Sequence, residues 1–371
     1  MTGLRGWAAL WVFMYHAWAY AKHPPLVIDL AGLSIDLTPL FSIGFAGVTI
    51  FFVLSGFLLS LPFAQWQAGQ RERPRLGRYF FRRVMRVFPA YYAQLAILIA
   101  VGFVVPGEPR IEDGGALARH LAMLFVTPPV GTTPLNGVWW TLPIEFSFYL
   151  VLPVLALLLR PRRWILLLAG SLLSMYLWRY GVVLRMMDAS LTQRVIAAYQ
   201  LPGSMDAFGI GMLAAYLYVN RGRVPRWLMP GHRLERLGGP ALLLVFAAVY
   251  LMPHYRHQYW ADHPIFYLWT PALVLGVAGI ILAGVAGGRL IAFLFSNRAM
   301  VFAGIVSYSF YLWHLPILRW LAASEWLPGS SAMRFAVLLG AGGSIVTVVA
   351  ALSYLLIERP GMRFGRESDR G

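Results

Sequence analysis

Leu4-Arg5-Gly6-Trp7-Ala8-Ala9-Leu10-Trp11-Val12-Phe13-Met14-Tyr15-His16 decides how this 371-residue chain is read. The stretch is apolar except at its two polar landmarks, and His16 follows Arg5 by eleven residues. At 3.6 residues per turn that is almost three full turns, so both side chains share one helix face, roughly 16 Å apart along the axis. If the helix spans a bilayer, Arg5 stands at one water interface and His16 lies past the midplane, where an ionisable group is a functional-site candidate by default. A cation at the mouth of a stripe and an imidazole at its far end suit a long ligand, charged at one end and reactive at the other.

Composition supports the membrane. The chain is 59% apolar and 12% charged, whereas about a quarter of a soluble domain carries charge. Its net charge of +16 would suggest nucleic acid in a soluble protein, but the basic residues fall between apolar runs, as the positive-inside bias requires. The absence of cysteine excludes disulfides, thiolate chemistry and cysteine metal sites. Ala19-Tyr20-Ala21 imitates a signal-peptide cleavage site, but the chain continues through many further apolar runs.

Apolar runs of about 20 residues give ten spans: Leu4–Tyr20, Phe41–Phe63, Phe88–Val105, Val138–Leu159, Trp164–Gly181, Leu201–Val219, Gly238–Met252, Ile265–Ala286, Met300–Leu321 and Met333–Ile357. With both termini cytoplasmic, every cytoplasmic loop carries arginine: Arg71 to Arg86, Arg160 to Arg163, Arg221 to Arg236, Arg289 with Arg298, and Arg359 to Arg370. Arg179, Arg194 and Arg319 fall toward the other side. The expected fold is an all-α polytopic membrane protein of about ten transmembrane helices, residues 1–371 forming one transmembrane domain with no soluble domain. Trp139, Trp140, Trp178, Trp320 and Trp326 read as an aromatic belt at the outer interface, with sugar stacking as the alternative.

Few polar groups lie inside the spans. His16 is either a packing histidine or a general base or nucleophile. Glu145 should sit roughly 9 Å below the outer surface and His16 roughly 12 Å below it, so Glu145 could orient the imidazole as the acid of a triad does; the alternative is a glutamate paired with another buried cation. Ser307, Tyr311 and His314 share a face, which makes His314 a rival base or a polar anchor. Asp206 either supports the site or holds a helix end. Arg83 and Arg86 project together, and with Arg5 at the same depth they form a candidate phosphate clamp or simply a lipid-facing basic run. Ser55 lies in Phe51-Phe52-Val53-Leu54-Ser55-Gly56-Phe57; Gly44, Gly47 and Gly56 allow close approach of a helix or a ligand. Glu358-Arg359-Pro360 reads as a structural helix end whose charges reach the inner arginines.

In this order the pieces resemble the acyltransferase-3 family of integral membrane O-acyltransferases. The matching segments are Leu4-Arg5-Gly6 with His16, Phe51 to Phe57, Arg82-Arg83-Val84-Met85-Arg86-Val87-Phe88-Pro89, Trp140-Thr141-Leu142 with Glu145-Phe146, and Phe148-Tyr149-Leu150. Asp206-Ala207-Phe208 with Gly211, Tyr308 to His314, and Glu358-Arg359-Pro360 complete the set. The resemblance implies transfer of an acyl group, usually acetyl, from cytoplasmic acyl-CoA to a hydroxyl of a glycan or related acceptor, in a bacterial inner membrane. It implies that Arg5, His16, Arg83 and Arg86 are tied to activity, with acyl-CoA as a donor substrate and no permanently bound cofactor or metal.

Three features depart from the family pattern. Thr2 stands where an aspartate is usual, which leaves a truncated N-terminus or a misassigned start as the alternatives. Ser204-Met205 stand where an arginine often precedes the Asp206 motif. The chain ends soon after its last span, where many relatives add an extracytoplasmic domain, so the transfer must be finished alone or the product handed to a separate protein. Two other functions fit the same stripe: acylation of a small hydrophobic acceptor such as a macrolide, and non-enzymatic transport of a glycan or lipid-linked precursor.

Overall fold

A long apolar run in lipid can satisfy its backbone only as a helix, and the chain meets that demand throughout. The computed structural model describes residues 1–30, 32–104, 108–125, 134–186, 188–222, 234–255, 259 and 263–367. Its principal helices are α1 (Thr2–Tyr20), α2 (Gly47–Gln67), α3 (Leu76–Val104), α4 (Thr141–Leu155), α5 (Trp164–Arg185), α6 (Met205–Val219), α7 (Gly238–Leu251) and α8 (Ile265–Val285). They continue with α9 (Arg298–Ile305), α10 (Ser307–Ala322), α11 (Ser331–Val337), α12 (Gly343–Ser353) and α13 (Arg359–Glu367). The last three run on from one another through π turns at Leu338–Gly342 and Tyr354–Glu358.

Helix occupies each of the ten stretches expected from the sequence. Seven helices among the described residues are long and apolar enough to cross a membrane, or eight if the bent pair α9–α10 is one span. The protein is therefore a multi-pass helical membrane protein. Of the other two stretches, α1 is one continuous helix of 19 residues that carries Arg5 and His16, and α6 has 15 residues. Part of the basic segment Arg221–Arg236, together with Val105, Val126, Arg256 and Arg370, lies outside the described residues.

Three details differ from the sequence reading. A two-stranded antiparallel hairpin, Val27–Leu30 with Leu33–Asp36, interrupts the all-helical plan, Val27 facing Asp36 and Leu30 facing Leu33. The third helix begins at Leu76, well before Phe88, because a helix does not stop where hydrophobicity does; Arg78, Arg82, Arg83 and Arg86 thus belong to α3. The ninth span is not one rod: α9 and α10 meet at 76°.

Beside the bend, backbones pack closely. A side chain on Gly304 of α9 would strike the Thr2 carbonyl, and one on Gly6 of α1 would meet the Gly304 nitrogen and Met300 carbonyl at 2.6 Å. Only hydrogen fits at either position, so α1 lies tightly along α9. Gly44 and Gly47 press on the Trp11 and Ala8 carbonyls of α1 in the same way, and Gly56 and Gly211 join α2 to α6. These glycines bring helices together rather than admitting a ligand. With α9 and α2 packed on it, α1 becomes a central element, its Leu4, Ala8, Trp11 and Val12 all buried.

Candidate active site

Arg5, one turn into α1, opens onto a cavity of about 360 Å³. Arg83 and Arg86 of α3 line it, with Ser55 of α2, Glu145 and Tyr149 of α4, and Tyr308 and Tyr311 of α10. The three arginines expected to act together do share one wall. They are not equivalent. Arg86 Nη1 lies 2.6 Å from Glu358 Oε1, and Ser309 donates to the other oxygen of that carboxylate at 2.9 Å, so Glu358 reaches an inner arginine as its sequence position suggested. Neither the Arg5 nor the Arg83 guanidinium has a hydrogen bond or ion pair to a described residue; buried Arg83 Nε has no acceptor, and the Arg83 guanidinium lies 6.0 Å from the ring of Tyr149. Guanidinium donors lining a cavity with no protein acceptor are suited to an anion.

Glu145 belongs to this cavity. Ser55 Oγ donates to its Oε1 at 2.7 Å, and Arg5 lines the same cavity. The pairing of Glu145 with His16 is not made, and that expectation is corrected here. The two are not level: Ser55, which holds Glu145, follows Thr49 of the His16 cavity by six residues on α2, and Glu145 follows Trp140 of that cavity by five.

His16 lies in a second cavity of about 690 Å³, with Tyr15, Phe45, Trp140, Arg194 and Tyr199 among its walls. Its partner is His314. Nδ1 of His16 lies 2.9 Å from the Val12 carbonyl and 3.1 Å from Nε2 of His314. Nδ1 of His314 lies 2.7 Å from the Tyr311 carbonyl. The proton positions follow from these contacts. A carbonyl only accepts, so neutral His314 carries its proton on Nδ1 and presents a lone pair at Nε2. His16 must then donate from Nδ1, which is shared between Val12 and His314, and its own lone pair falls on Nε2. That nitrogen has no partner among the described residues and is the one left for a molecule in the cavity.

Val48 and Tyr311 line both cavities and form the wall between them. The Tyr311 hydroxyl is held at 3.0 Å from Thr141 Oγ1 and 2.9 Å from the Val138 carbonyl. At the opposite end, Arg83, Arg86 and Met362 are shared with a third cavity of about 280 Å³ that Arg82 also lines. Three cavities thus adjoin in series, from a basic mouth to an imidazole. Among the described residues no cluster of three metal-ligating side chains occurs.

Asp206 stands apart from this series. It is buried with Arg179 of α5, Nη2 to Oδ2 3.8 Å, and its Oδ1 accepts from the Ala207 nitrogen at 2.8 Å. Arg179 is not an outer-loop cation as its position suggested; it is 1% exposed. Trp139, assigned to the aromatic belt, is likewise fully buried, because its indole N–H finds an acceptor, Gln94 Oε1, inside the protein.

This geometry can be set beside known proteins. Residues 1–355 match the family described as an acyltransferase domain. The chain belongs to the acyltransferase-3 family. As a member it is a membrane acyltransferase. The chain is similar to the exopolysaccharide production protein ExoZ of Rhizobium meliloti, 29% identical over 342 residues that cover 88% of this chain and 92% of that protein. It also resembles the peptidoglycan O-acetyltransferase OatA of Listeria monocytogenes, 24% identical over 338 residues, covering 85% of this chain and 51% of OatA. Its similarity to the acyltransferase MdmB of Streptomyces mycarofaciens, 28% over 159 residues, covers 42% of this chain and 38% of MdmB. No solved structure matches it.

Two residues that shape the site escaped the sequence reading. Gln94 and Asn136, both buried, bond to the helix carrying Tyr311 and His314. The signals available were Pro316 inside an apolar helix and an amide side chain inside the third span.

Proposed function

We propose that this protein is a ten-span enzyme of the bacterial cytoplasmic membrane, both termini inside, that carries an acyl group, acetyl above all, from cytoplasmic acyl-CoA to a hydroxyl of a glycan or lipid-linked sugar. The observation that carries this reading is the series of adjoining cavities with free guanidinium groups at one end and a lone-pair imidazole at the other. The CoA phosphates would rest on Arg5 and Arg83, with Arg86 held in reserve by Glu358. The pantetheine arm would lie along α1, and the thioester would reach the Val48–Tyr311 wall.

In the simplest course His16 Nε2 takes the proton of the acceptor hydroxyl as its oxygen attacks the thioester carbon. The new C–O bond forms, the C–S bond breaks, and the departing thiolate receives the proton from His16. His314 keeps its lone pair on the Nδ1–H of His16 throughout, so the imidazolium that forms is hydrogen-bonded at the nitrogen away from the reaction. Glu145 acts on the donor side as the countercharge of Arg5, fixed by Ser55. His16 acting as a transient acyl carrier uses the same nitrogen.

The aromatic walls of the His16 cavity suit the apolar faces of a sugar ring, and they equally suit a small hydrophobic acceptor such as a macrolide. Membranes given labelled acetyl-CoA should transfer the label to a glycan or small molecule, which mass spectrometry identifies. The His16→Ala protein should insert normally and transfer none. Full transfer by that variant would remove the mechanism.

A further inference from the structure

Pro316 interrupts α10 two residues beyond His314. Proline has no N–H, so the Leu312 carbonyl, four residues earlier, has no helical donor. An unpaired carbonyl in an apolar interior is costly. Here two side-chain amides from elsewhere in the fold replace the missing donor. Gln94 Nε2 of α3 reaches the Leu312 oxygen at 2.7 Å, and Asn136 Nδ2, just ahead of α4, reaches it at 2.8 Å.

The other end of each amide is also engaged. Gln94 Oε1 accepts from the Trp139 indole at 2.8 Å, and Asn136 Oδ1 accepts from the Val138 nitrogen at 3.3 Å. A carbonyl only accepts and an indole N–H only donates, so the orientation of Gln94 is settled by its partners. The next carbonyl along, that of Val138, takes the Tyr311 hydroxyl, and the Tyr311 carbonyl takes His314 Nδ1. One continuous set of hydrogen bonds therefore runs from α3 and the start of α4, across the turn of α10 from Tyr311 to His314, to His16.

We infer that Gln94 and Asn136 are positioning residues for the reaction: by clasping the carbonyl that Pro316 frees, they fix the turn whose His314 accepts from His16 Nδ1. The inference rests on the acyl-transfer reading for its kinetic consequence. The contacts themselves stand independently of it.

Gln94→Met and Asn136→Leu each remove one amide donor to Leu312 without putting a charge or a second acceptor beside its carbonyl. Each should lower kcat for acetyl transfer by about tenfold, the size of one lost buried hydrogen bond, with KM for acetyl-CoA unchanged. Combined with Pro316→Ala, which returns a backbone N–H to Leu312, the same substitutions should cost no more than about threefold, because the interaction they lose is no longer needed. In parallel, 15N spectra of histidine-labelled protein in bilayers should show His314 Nε2 losing its hydrogen bond in the single variants and keeping it in the combined ones. Equal losses in both backgrounds, or an unmoved His314 signal in the single variants, would overturn the inference. If wild-type protein transfers no acetyl group, the functional reading fails, and the spectra alone still decide the clasp.

Discussion

Arg179 and Arg83 are both arginines on membrane helices, and the protein uses them in opposite ways. Arg179 is held by its own chain: Nε donates to the Gly203 carbonyl at 3.0 Å and Nη1 to the Phe266 carbonyl and Thr270 at 3.1 and 3.0 Å, while Nη2 makes no hydrogen bond and faces the Asp206 carboxylate at 3.8 Å. Tyr199 and Phe266 lie against its guanidinium at 5.3 and 5.6 Å. Arg83 lines two cavities and has no carboxylate or carbonyl partner among the described residues. A buried cation held by its own chain through Nε and Nη1 and paired with a buried carboxylate is part of the scaffold. One facing a cavity with its donors unmatched is arranged for something that arrives from outside.

The largest expected effect tests the scaffold half of this contrast. Arg179→Ala leaves the Asp206 carboxylate buried without a countercharge, a change worth about 3–5 kcal/mol. The variant should unfold at a markedly lower temperature in detergent, and most of it should fail to accumulate. Replacing both partners by apolar residues, Arg179→Met with Asp206→Leu, should restore much of the loss. Should the single variant melt like wild type, the pair is not the structural anchor its burial indicates.

Arg83→Ala and Arg5→Ala should behave in the reverse way. Charge-assisted hydrogen bonds contribute about 1.5–3 kcal/mol, so each variant should bind CoA about ten to a hundredfold more weakly by titration calorimetry, with its melting temperature preserved. Weaker binding in high salt is expected for wild type and less so for the variants. An unchanged affinity in either variant would remove that residue from the donor site.

Whether an arginine is matched or unmatched was the part of the site least legible in the sequence. Apolar runs placed helices at all ten stretches because hydrophobicity and backbone satisfaction act locally. The grouping of Arg5, Arg83 and Arg86 was also legible, since all three lie near one end of their helices and depth alone brings them together. What sequence spacing did not supply is the actual level of Glu145: Ser55, which holds it, follows Thr49 of the His16 cavity by six residues, and Glu145 follows Trp140 of that cavity by five, so Glu145 sits with Ser55 and the Arg5 cavity while His16 meets His314. The close approach of α9 to α1 was hidden because it depends on the contact of Gly304 with Thr2, a partner 302 residues away in a chain of 371. Arg179 was misplaced because an arginine near the end of an apolar run looks like a topology signal, and only the arrival of Asp206 from another helix makes it internal.

Ser55→Ala is a smaller perturbation of the same cavity. It removes the 2.7 Å hydrogen bond to Glu145, typically about 0.5–1.5 kcal/mol. It should weaken CoA binding only a few fold while leaving the His16–His314 contact, and hence the 15N signature of His314, as in wild type. A large change in that signature would mean that the two cavities are mechanically coupled through Tyr311 rather than merely adjoining.

Arg86 stands between the two extremes, and it yields the smallest but most discriminating effect. It lines the donor cavity, yet Glu358 already holds it at 2.6 Å while Ser309 holds Glu358. A phosphate arriving there must compete with that carboxylate. Glu358→Gln keeps a side-chain amide beside Ser309 and removes the competing charge, so CoA should bind about two- to fivefold more tightly at low salt, within the modest range of partly exposed ion pairs. The gain should vanish when Arg86→Ala is added, since the freed guanidinium is its source. Weaker binding in Glu358→Gln would instead mean that the carboxylate is needed to aim Arg86 at the ligand. That result would move Arg86 from the class of Arg179, matched within the protein, to that of a donor-site residue positioned by its partner.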